Sequence, residues 1–203
     1  VDNGIASLKH PTLTYALRGI AALEIRLDGP LRDLHSGLFG GTVDNPAMAL
    51  CQLLGKLRDA RGRIAIPGIY DDVAKLSRYE REQMAKLPHS DASYRKLVGV
   101  PALFGEAGFS VEEQRTARPT FEINGLTSGY QGEGSKTIIP AHAHAKISCR
   151  LVPDMDPHQT FERVKAAILA VDVPGVTVDV TLINAGMWSL APMDHPATQA
   201  AAR

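Results

Sequence analysis

The sequence has few cysteines and no excess of charge of either sign. Two cysteines, Cys51 and Cys149, occur among 203 residues, too few for the disulfide framework of a small secreted domain. Lysine plus arginine and aspartate plus glutamate number 22 each, so no net charge attracts the chain to nucleic acid or to an acidic membrane. We therefore expect neither nucleic acid nor membrane among its partners.

Long apolar runs are missing as well. No run approaches the roughly 18 residues of a membrane span, and the N-terminal VDNGIASLKHP lacks the basic region and apolar stretch of a signal peptide. These absences favour a cytoplasmic protein. The first residue is Val1 and not methionine, so we expect the chain to be part of a longer protein. The 44% of hydrophobic residues suffices for the core of one large domain or two small ones.

Four stretches alternate between apolar and polar residues, which is typical of strands with one buried face. The first begins at Gly19, and the other three are RPTFEINGL, IIPAHAHAKISCRLVP and GVTVDVTLIN. The positions predicted to face the core are Ala21, Leu23, Ile25 and Leu27, then Phe121 and Ile123, then Ala141, Ala143, Ala145, Ile147 and Cys149, and finally Val176, Val178, Val180 and Leu182.

Two further stretches carry the signals of amphipathic helices. In the first, Asn45 is a suitable N-cap, Pro46 suits the first helical position and Gly62 is predicted to end the helix. The second repeats this pattern with Asp156 and Pro157. The two apolar stripes are Ala47, Leu50, Cys51, Leu54 and Leu57 in the first helix, and Phe161, Val164, Ile168 and Val171 in the second.

The order of these elements is β-α-β-β-α-β, which predicts an α+β fold of the ferredoxin-like type. Such a fold has a four-stranded antiparallel sheet with both helices on its apolar face. Residues 63–117 form a long insertion, in which DDVAKLSRYEREQMAKL is predicted to be helical. Both cysteines fall on apolar faces and are predicted to be buried core thiols. SGYQGEGSKT, residues 128–137, lacks the spacing of a phosphate-binding loop and is predicted to be a loop or hairpin turn.

His35 is the residue whose surroundings most suggest a function. It stands in DLHSGLFGG, residues 33–41, whose glycines give the backbone room for close approach of a ligand or another chain. Arg150, on the polar face of the third strand, suits a carboxylate, although an isolated surface arginine is usually just solvated. His142 and His144 share one strand face. Metal binding is therefore an alternative to an ordinary polar surface, but no third ligand is evident.

Four features together resemble the lid or dimerisation domain of metallopeptidase family M-20, on the branch of carnosine-type dipeptidases. They are DNGIASLKHPTLTYALRG, DLHSGLFGGTVDNPAMAL, KTIIPAHAHAKISCRLVPDMDP and the βαββαβ order. The resemblance covers nearly the whole chain apart from the insertion. It implies that residues 1–18 end a catalytic domain and its linker, that residues 19–185 are the lid domain, and that residues 186–203 lead back to the catalytic domain.

The resemblance implies a parent enzyme in which two zinc or manganese ions, a metal-bound water and a glutamate base hydrolyse peptide or amide bonds of small substrates. The resemblance covers the lid domain and does not extend to the segments that carry the His-x-Asp metal motif and the paired glutamates of such enzymes. We therefore expect the chain alone to be inactive and to hold no metal. Asp2 matches a metal-binding aspartate of the complete enzyme, although Val1 replaces the usual serine. Gly4 stands where some dipeptidases have a tyrosine, which leaves close dipeptide specificity open.

The resemblance also implies roles for three lid residues. His35 matches a histidine that reaches into the active site of the partner subunit, where it hydrogen-bonds the scissile carbonyl and stabilises the developing oxyanion. Thr137 and Arg150 match positions that bind the terminal carboxylate of a small peptide-like substrate. These roles predict a homodimer formed through the lid domain. The alternative from another functional class is a freestanding ferredoxin-like module that binds a small ligand without metal.

Overall fold

The computed structural model describes residues 12–88, 90–192 and 194–201. Its strands are β1 (Ala16–Leu17), β2 (Gly19–Asp28), β3 (Leu34–His35), β4 (Thr120–Ser128), β5 (Ile138–Ile139), β6 (His142–Leu151), β7 (Thr177–Gly186) and β8 (Ser189–Leu190). Its helices are α1 (Ser36–Phe39), α2 (Pro46–Gly55), α3 (Arg78–Met84), α4 (Asp91–Val98), α5 (Val111–Ala117), α6 (Pro157–Leu169) and α7 (Pro196–Ala201).

The four alternating stretches form one antiparallel sheet in the order β4-β6-β2-β7. The prediction of a four-stranded antiparallel sheet is therefore confirmed. β2 and β6 lie at its centre, and their register places apolar residues opposite one another. Leu23 faces Ile147 and Ile25 faces Ala145, and all four side chains are buried. The predicted loop at residues 128–137 connects β4 to β5.

Both longer helices pack on the apolar face of this sheet. α2 lies against β2 and β6, whereas α6 lies against β2 and β7. Each helix begins at its predicted cap: Asn45 accepts a hydrogen bond from the backbone N–H of Ala47 at 2.9 Å, and Asp156 accepts one from Gln159 at 2.8 Å. Their buried apolar side chains join those of β2 and β6 in a single hydrophobic core.

Several predictions about individual positions were wrong. α2 ends at Gly55, well before Gly62. Its buried residues are Pro46, Ala49, Leu50, Leu53 and Leu54, and this stripe leaves Cys51 exposed. Ile123 faces the same side of the sheet as buried Ile147 but is 47% exposed, because β4 is an edge strand and α2 packs over its neighbours.

The insertion contains α3, α4 and α5 and a buried carboxylate, Glu106. Arg118 donates to both oxygens of Glu106 at 2.8 and 2.9 Å, and its guanidinium lies over the rings of Tyr70 and Phe109. A buried charge persists only when it is paired, so this ion pair ties the insertion to the start of β4. The helix predicted within DDVAKLSRYEREQMAKL forms over Arg78–Met84 alone, after a capping box at Ser77.

The segments that lead into and out of the main sheet pair with each other. β1 and β8 form a two-stranded antiparallel sheet in which Ala16 faces Leu190 and Leu17 faces Ser189. Both strands fall in stretches assigned to linkers, and the pairing brings those stretches side by side. Among the described helices, none combines the length and apolar character needed to cross a bilayer.

Candidate functional site

The His35 segment is held at the end of the main sheet where β2 ends and β6 begins. The backbone N–H of Gly29 donates to the carbonyl of Ala141 at 2.8 Å, and the carboxylate of Asp33 accepts from the N–H of Ala141 at 2.9 Å. β3 then pairs with β5, which places His35 opposite Ile138. The His35 side chain itself is exposed. An exposed side chain on a backbone anchored at several points is positioned to meet a ligand.

The structure brings His35 and Thr137 together. The N–H of Ser36 donates to the carbonyl of Thr137 at 2.9 Å, so the two backbones are in direct contact. The Thr137 hydroxyl lies 3.2 Å from Nε2 of His35. Two residues about a hundred positions apart in sequence thus present a hydroxyl and an imidazole side by side.

Local hydrogen bonds fix which ring nitrogen of His35 carries the proton. The backbone N–H of Gly37 donates to Nδ1 at 3.1 Å, so Nδ1 is the acceptor. The neutral ring therefore carries its proton on Nε2, which donates to Thr137. A side chain at position 37 would disturb this arrangement, because an added Cβ would lie 2.8 Å from Cε1 of His35. The segment thus presents an exposed N–H donor suited to a carbonyl oxygen.

Arg150 lies at the other end of β6. It faces Ile20 of β2 and Thr120 of β4, whereas the beginning of β6 adjoins the His35 segment. A strand rises about 3.3 Å per residue, so residues 142 to 150 span roughly 26 Å. One small peptide cannot bridge that distance. Within one protomer, Arg150 and the pair of His35 and Thr137 therefore cannot contact the same small ligand.

Arg18, which sequence reasoning missed, accompanies Arg150. Its Nη1 atom is buried and has no hydrogen-bond partner within the described ranges. Burial, followed by the positive charges of Arg150 and Arg115, lowers the pKa of Arg18. Nothing in the sequence marks Arg18, because its position depends on the register that places Ile20 opposite Arg150.

The two histidines of β6 contact carboxylates of β2. Nδ1 of His142 lies 2.5 Å from Asp28, and Nδ1 of His144 lies 3.9 Å from Glu24. Loss of hydration raises the pKa of Asp28, but hydrogen bonds from Arg26 and His142 outweigh it, so the net shift is downward. Over residues 12–88, 90–192 and 194–201, no cluster of three or more histidine, cysteine, aspartate or glutamate side chains could hold a metal ion. Asp2 and Gly4 lie outside the described residues.

The chain is similar to metal-dependent dipeptidases. The family model for the peptidase dimerisation domain, M20_dimer, matches residues 15–176. The Cys-Gly metallodipeptidase dug1 of Schizosaccharomyces pombe is 33% identical over 92% of this chain and 40% of its own length. The Beta-Ala-His dipeptidase of Mus musculus is 32% identical over 84% of this chain and 35% of its own length. The chain thus spans well under half the length of these relatives.

A solved structure agrees with these matches. The dipeptidase Dug1p of Saccharomyces cerevisiae superposes with a TM-score of 0.81 and 31% identity, over 98% of this chain and 42% of that protein. The fold similarity therefore extends to the insertion as well as to the main sheet.

Proposed function

The chain belongs to the M20 peptidase dimerisation domain family, and from this premise we propose that it dimerises and caps the substrate in a dinuclear-zinc peptidase or amidohydrolase. The observation that carries the proposal is the contact between His35 and Thr137, which presents an N–H donor and a hydroxyl on an exposed, anchored segment. The strand order β4-β6-β2-β7 with both helices on one face supports the ferredoxin-like arrangement expected of such a lid.

His35 is proposed to act on the scissile carbonyl of a substrate bound to the partner subunit. The hydrogen bond from Gly37 keeps the proton on Nε2, so the neutral ring can donate to the carbonyl oxygen and to the oxyanion that develops on it. Without substrate, the Thr137 hydroxyl accepts the hydrogen bond from that ring nitrogen. When substrate is bound, the hydroxyl hydrogen-bonds the substrate instead. Binding and orientation of a small peptide are thus the contribution of this chain.

The distance between His35 and Arg150 supports a site made from two protomers. Because one ligand cannot reach both residues in a single chain, we infer that His35 and Thr137 of one protomer face Arg150 of the other across the substrate. A homodimer through the lid domain supplies that arrangement. The family match and the dipeptidase relatives favour this function over the alternative, a freestanding ligand-binding module.

The described residues do not fit a dinuclear metal site, since they contain no sufficient cluster of ligands. The metallodipeptidase relatives imply a divalent metal, and we propose that the catalytic domain of the parent protein holds two zinc or manganese ions, with Asp2 as one ligand in the complete protein. Such ions would polarise the substrate carbonyl and activate water. The isolated chain is accordingly proposed to be inactive.

The test is to replace His35 by alanine in the complete parent enzyme. Loss of one oxyanion donor should lower kcat by roughly two to three orders of magnitude. Gly37→Ala should also lower kcat although His35 is retained, because the added Cβ displaces the ring. His142→Ala, which removes a histidine paired with Asp28, is the matched control and should leave turnover unchanged. Wild-type turnover in the His35→Ala enzyme would eliminate the proposed role.

Complementation tests whether His35 acts across the dimer. Chains carrying His35→Ala are unfolded and refolded together with chains carrying Asp2→Asn, each inactive alone. If His35 acts in trans, half of the dimers are mixed and each has one complete site, so roughly a quarter of wild-type turnover should return. If His35 acts within its own chain, both sites of every mixed dimer are defective and no activity returns.

A further inference from the structure

Three arginines converge at the end of the main sheet that is remote from His35. Arg150 faces Ile20 across β2 and β6 and Thr120 across β6 and β4, so the three side chains share one face. Arg18 immediately precedes β2, whose first residue, Gly19, pairs with Leu151 next to Arg150. Arg115 lies on α5, which ends just before β4 begins. The pKa of Arg18 is lowered by burial and then by Arg150 and Arg115, consistent with this proximity.

Two of these guanidinium groups lack an acceptor. Nη1 of Arg18 is buried and donates to nothing within the described ranges, and no hydrogen bond or ion pair engages Arg150 there. Arg115, by contrast, lies 3.3 Å from its partner Glu112. A buried donor without an acceptor is costly, and a second positive charge nearby adds to the cost. An anion bound at this position would provide an acceptor for the buried donor and would offset the repulsion between the positive charges.

We propose that Arg18 and Arg150 together bind the α-carboxylate of the peptide substrate, with Arg18 as the second guanidinium of the site. The proposal rests on the function inferred above and extends the carboxylate role of Arg150. A planar carboxylate has two oxygens, each able to accept from a separate guanidinium fork, and such charge-assisted bonds are stronger than neutral ones. Thr120, opposite Arg150, adds a hydroxyl on the same face.

The experiment compares an unblocked dipeptide with its C-terminal amide as substrates of the complete parent enzyme. Arg18→Gln should raise KM for the dipeptide roughly 10- to 100-fold, the scale of one hydrogen bond to a charged group, and should abolish the preference for the dipeptide over its amide. Arg26→Gln is the matched control, because Arg26 lies on β2, the strand that Arg18 precedes, but is already paired with Asp28. Arg26→Gln should leave KM for the dipeptide and the preference for the dipeptide over its amide unchanged.

Arg18→Lys keeps the charge but not the fork, and it should raise KM for the dipeptide by less than Arg18→Gln does. This variant also serves if Arg18→Gln does not fold, which a thermal melt would show.

The outcomes separate this proposal from the proposed function. If the wild-type enzyme prefers the dipeptide and Arg150→Gln loses that preference while Arg18→Gln and Arg18→Lys keep it, the role of Arg18 is overturned and the proposed function stands. If Arg18→Gln lowers the melting temperature yet keeps the preference, the acceptor is a carboxylate of the protein itself, and the proposal is again overturned. A wild-type enzyme with no preference for the dipeptide over its amide would contradict both this proposal and the proposed function.

Discussion

At the residue scale, the two thiols differ in exposure, and this difference predicts their reactivity. Burial, with a smaller effect from the charge of Glu122, raises the pKa of Cys149 to about 12, so its reactive thiolate is scarce near neutral pH. Cys51 lies exposed on α2. We expect an alkylating reagent to modify Cys51 in the folded protein and Cys149 only after unfolding. Peptide mass spectrometry with and without denaturant measures this.

A Cys51→Ser variant provides the control for the thiol experiment. It should take up no label while folded and one label per chain in denaturant, because Cys149 is its only thiol. Rapid labelling of Cys149 in the folded variant would show that the apolar face of β6 opens readily and would contradict the prediction.

Residues were predictable from the sequence where local pattern decides their environment. Alternation identified the buried face of β6 from Ala143 to Cys149, since every second side chain of a central strand meets the helices. It failed for Ile123, whose exposure depends on β4 being at the edge of the sheet. It could not find Arg18, because only strand register shows which residues lie beside Arg150.

At the element scale, one hydrogen bond links the N-terminal segment to α3 of the insertion. The Tyr15 hydroxyl donates to Glu80 at 3.1 Å. Burial, then the charge of Glu80 and this hydrogen bond, raise the pKa of Tyr15 from 10.0 to about 12. The unfolded chain therefore loses this proton at a lower pH than the folded chain. Stability from this source is complete below pH 10 and is lost as the pH rises from 10 to about 12.

Tyr15→Phe should remove this part of the pH dependence. We expect the free energy of unfolding, measured by urea titration, to fall less steeply between pH 10 and pH 12 in the variant than in the wild type. Tyr79→Phe is the control, because Tyr79 lies on α3 but is 57% exposed. It should keep the wild-type slope. Equal slopes for Tyr15→Phe and wild type would show that the contact contributes nothing.

Elements differed in how far the sequence could define them. α2 and α6 begin where predicted because an N-cap followed by proline is a local signal. The end of α2 was misplaced by seven residues between Gly55 and Gly62, because the chain instead leaves the helix to form a turn in which Asp59 accepts from the N–H of Arg63 at 2.9 Å. The pairing of β1 with β8 joins segments more than 170 residues apart and leaves no local pattern.

At the scale of the whole molecule, the hydrophobic core is incomplete along β4. Ile123 and Leu126 are 47% and 51% exposed, although the residues opposite them on β6, Ile147 and Ala145, are each 1% exposed. These two side chains therefore continue the apolar layer beyond the area that α2 covers. The backbone of an edge strand is also open to pairing. We expect the partner subunit to cover this edge, because a trans role for His35 requires a fixed partner.

Sedimentation at tens of micromolar should accordingly show a dimer. Replacing both Ile123 and Leu126 by lysine should weaken dimerisation roughly 100-fold or more, because an uncompensated charge in an apolar interface costs several kcal/mol. Ile183→Lys changes a 61% exposed residue on β7, at the opposite edge, and should leave the dimer intact. In the parent enzyme, the double variant should lose turnover although His35 and Thr137 are unchanged, because the proposed site places their substrate in the other subunit. A wild-type monomer that retained full turnover would contradict the two-protomer site. A monomer caused by Ile183→Lys alone would place the interface on β7 and not on β4.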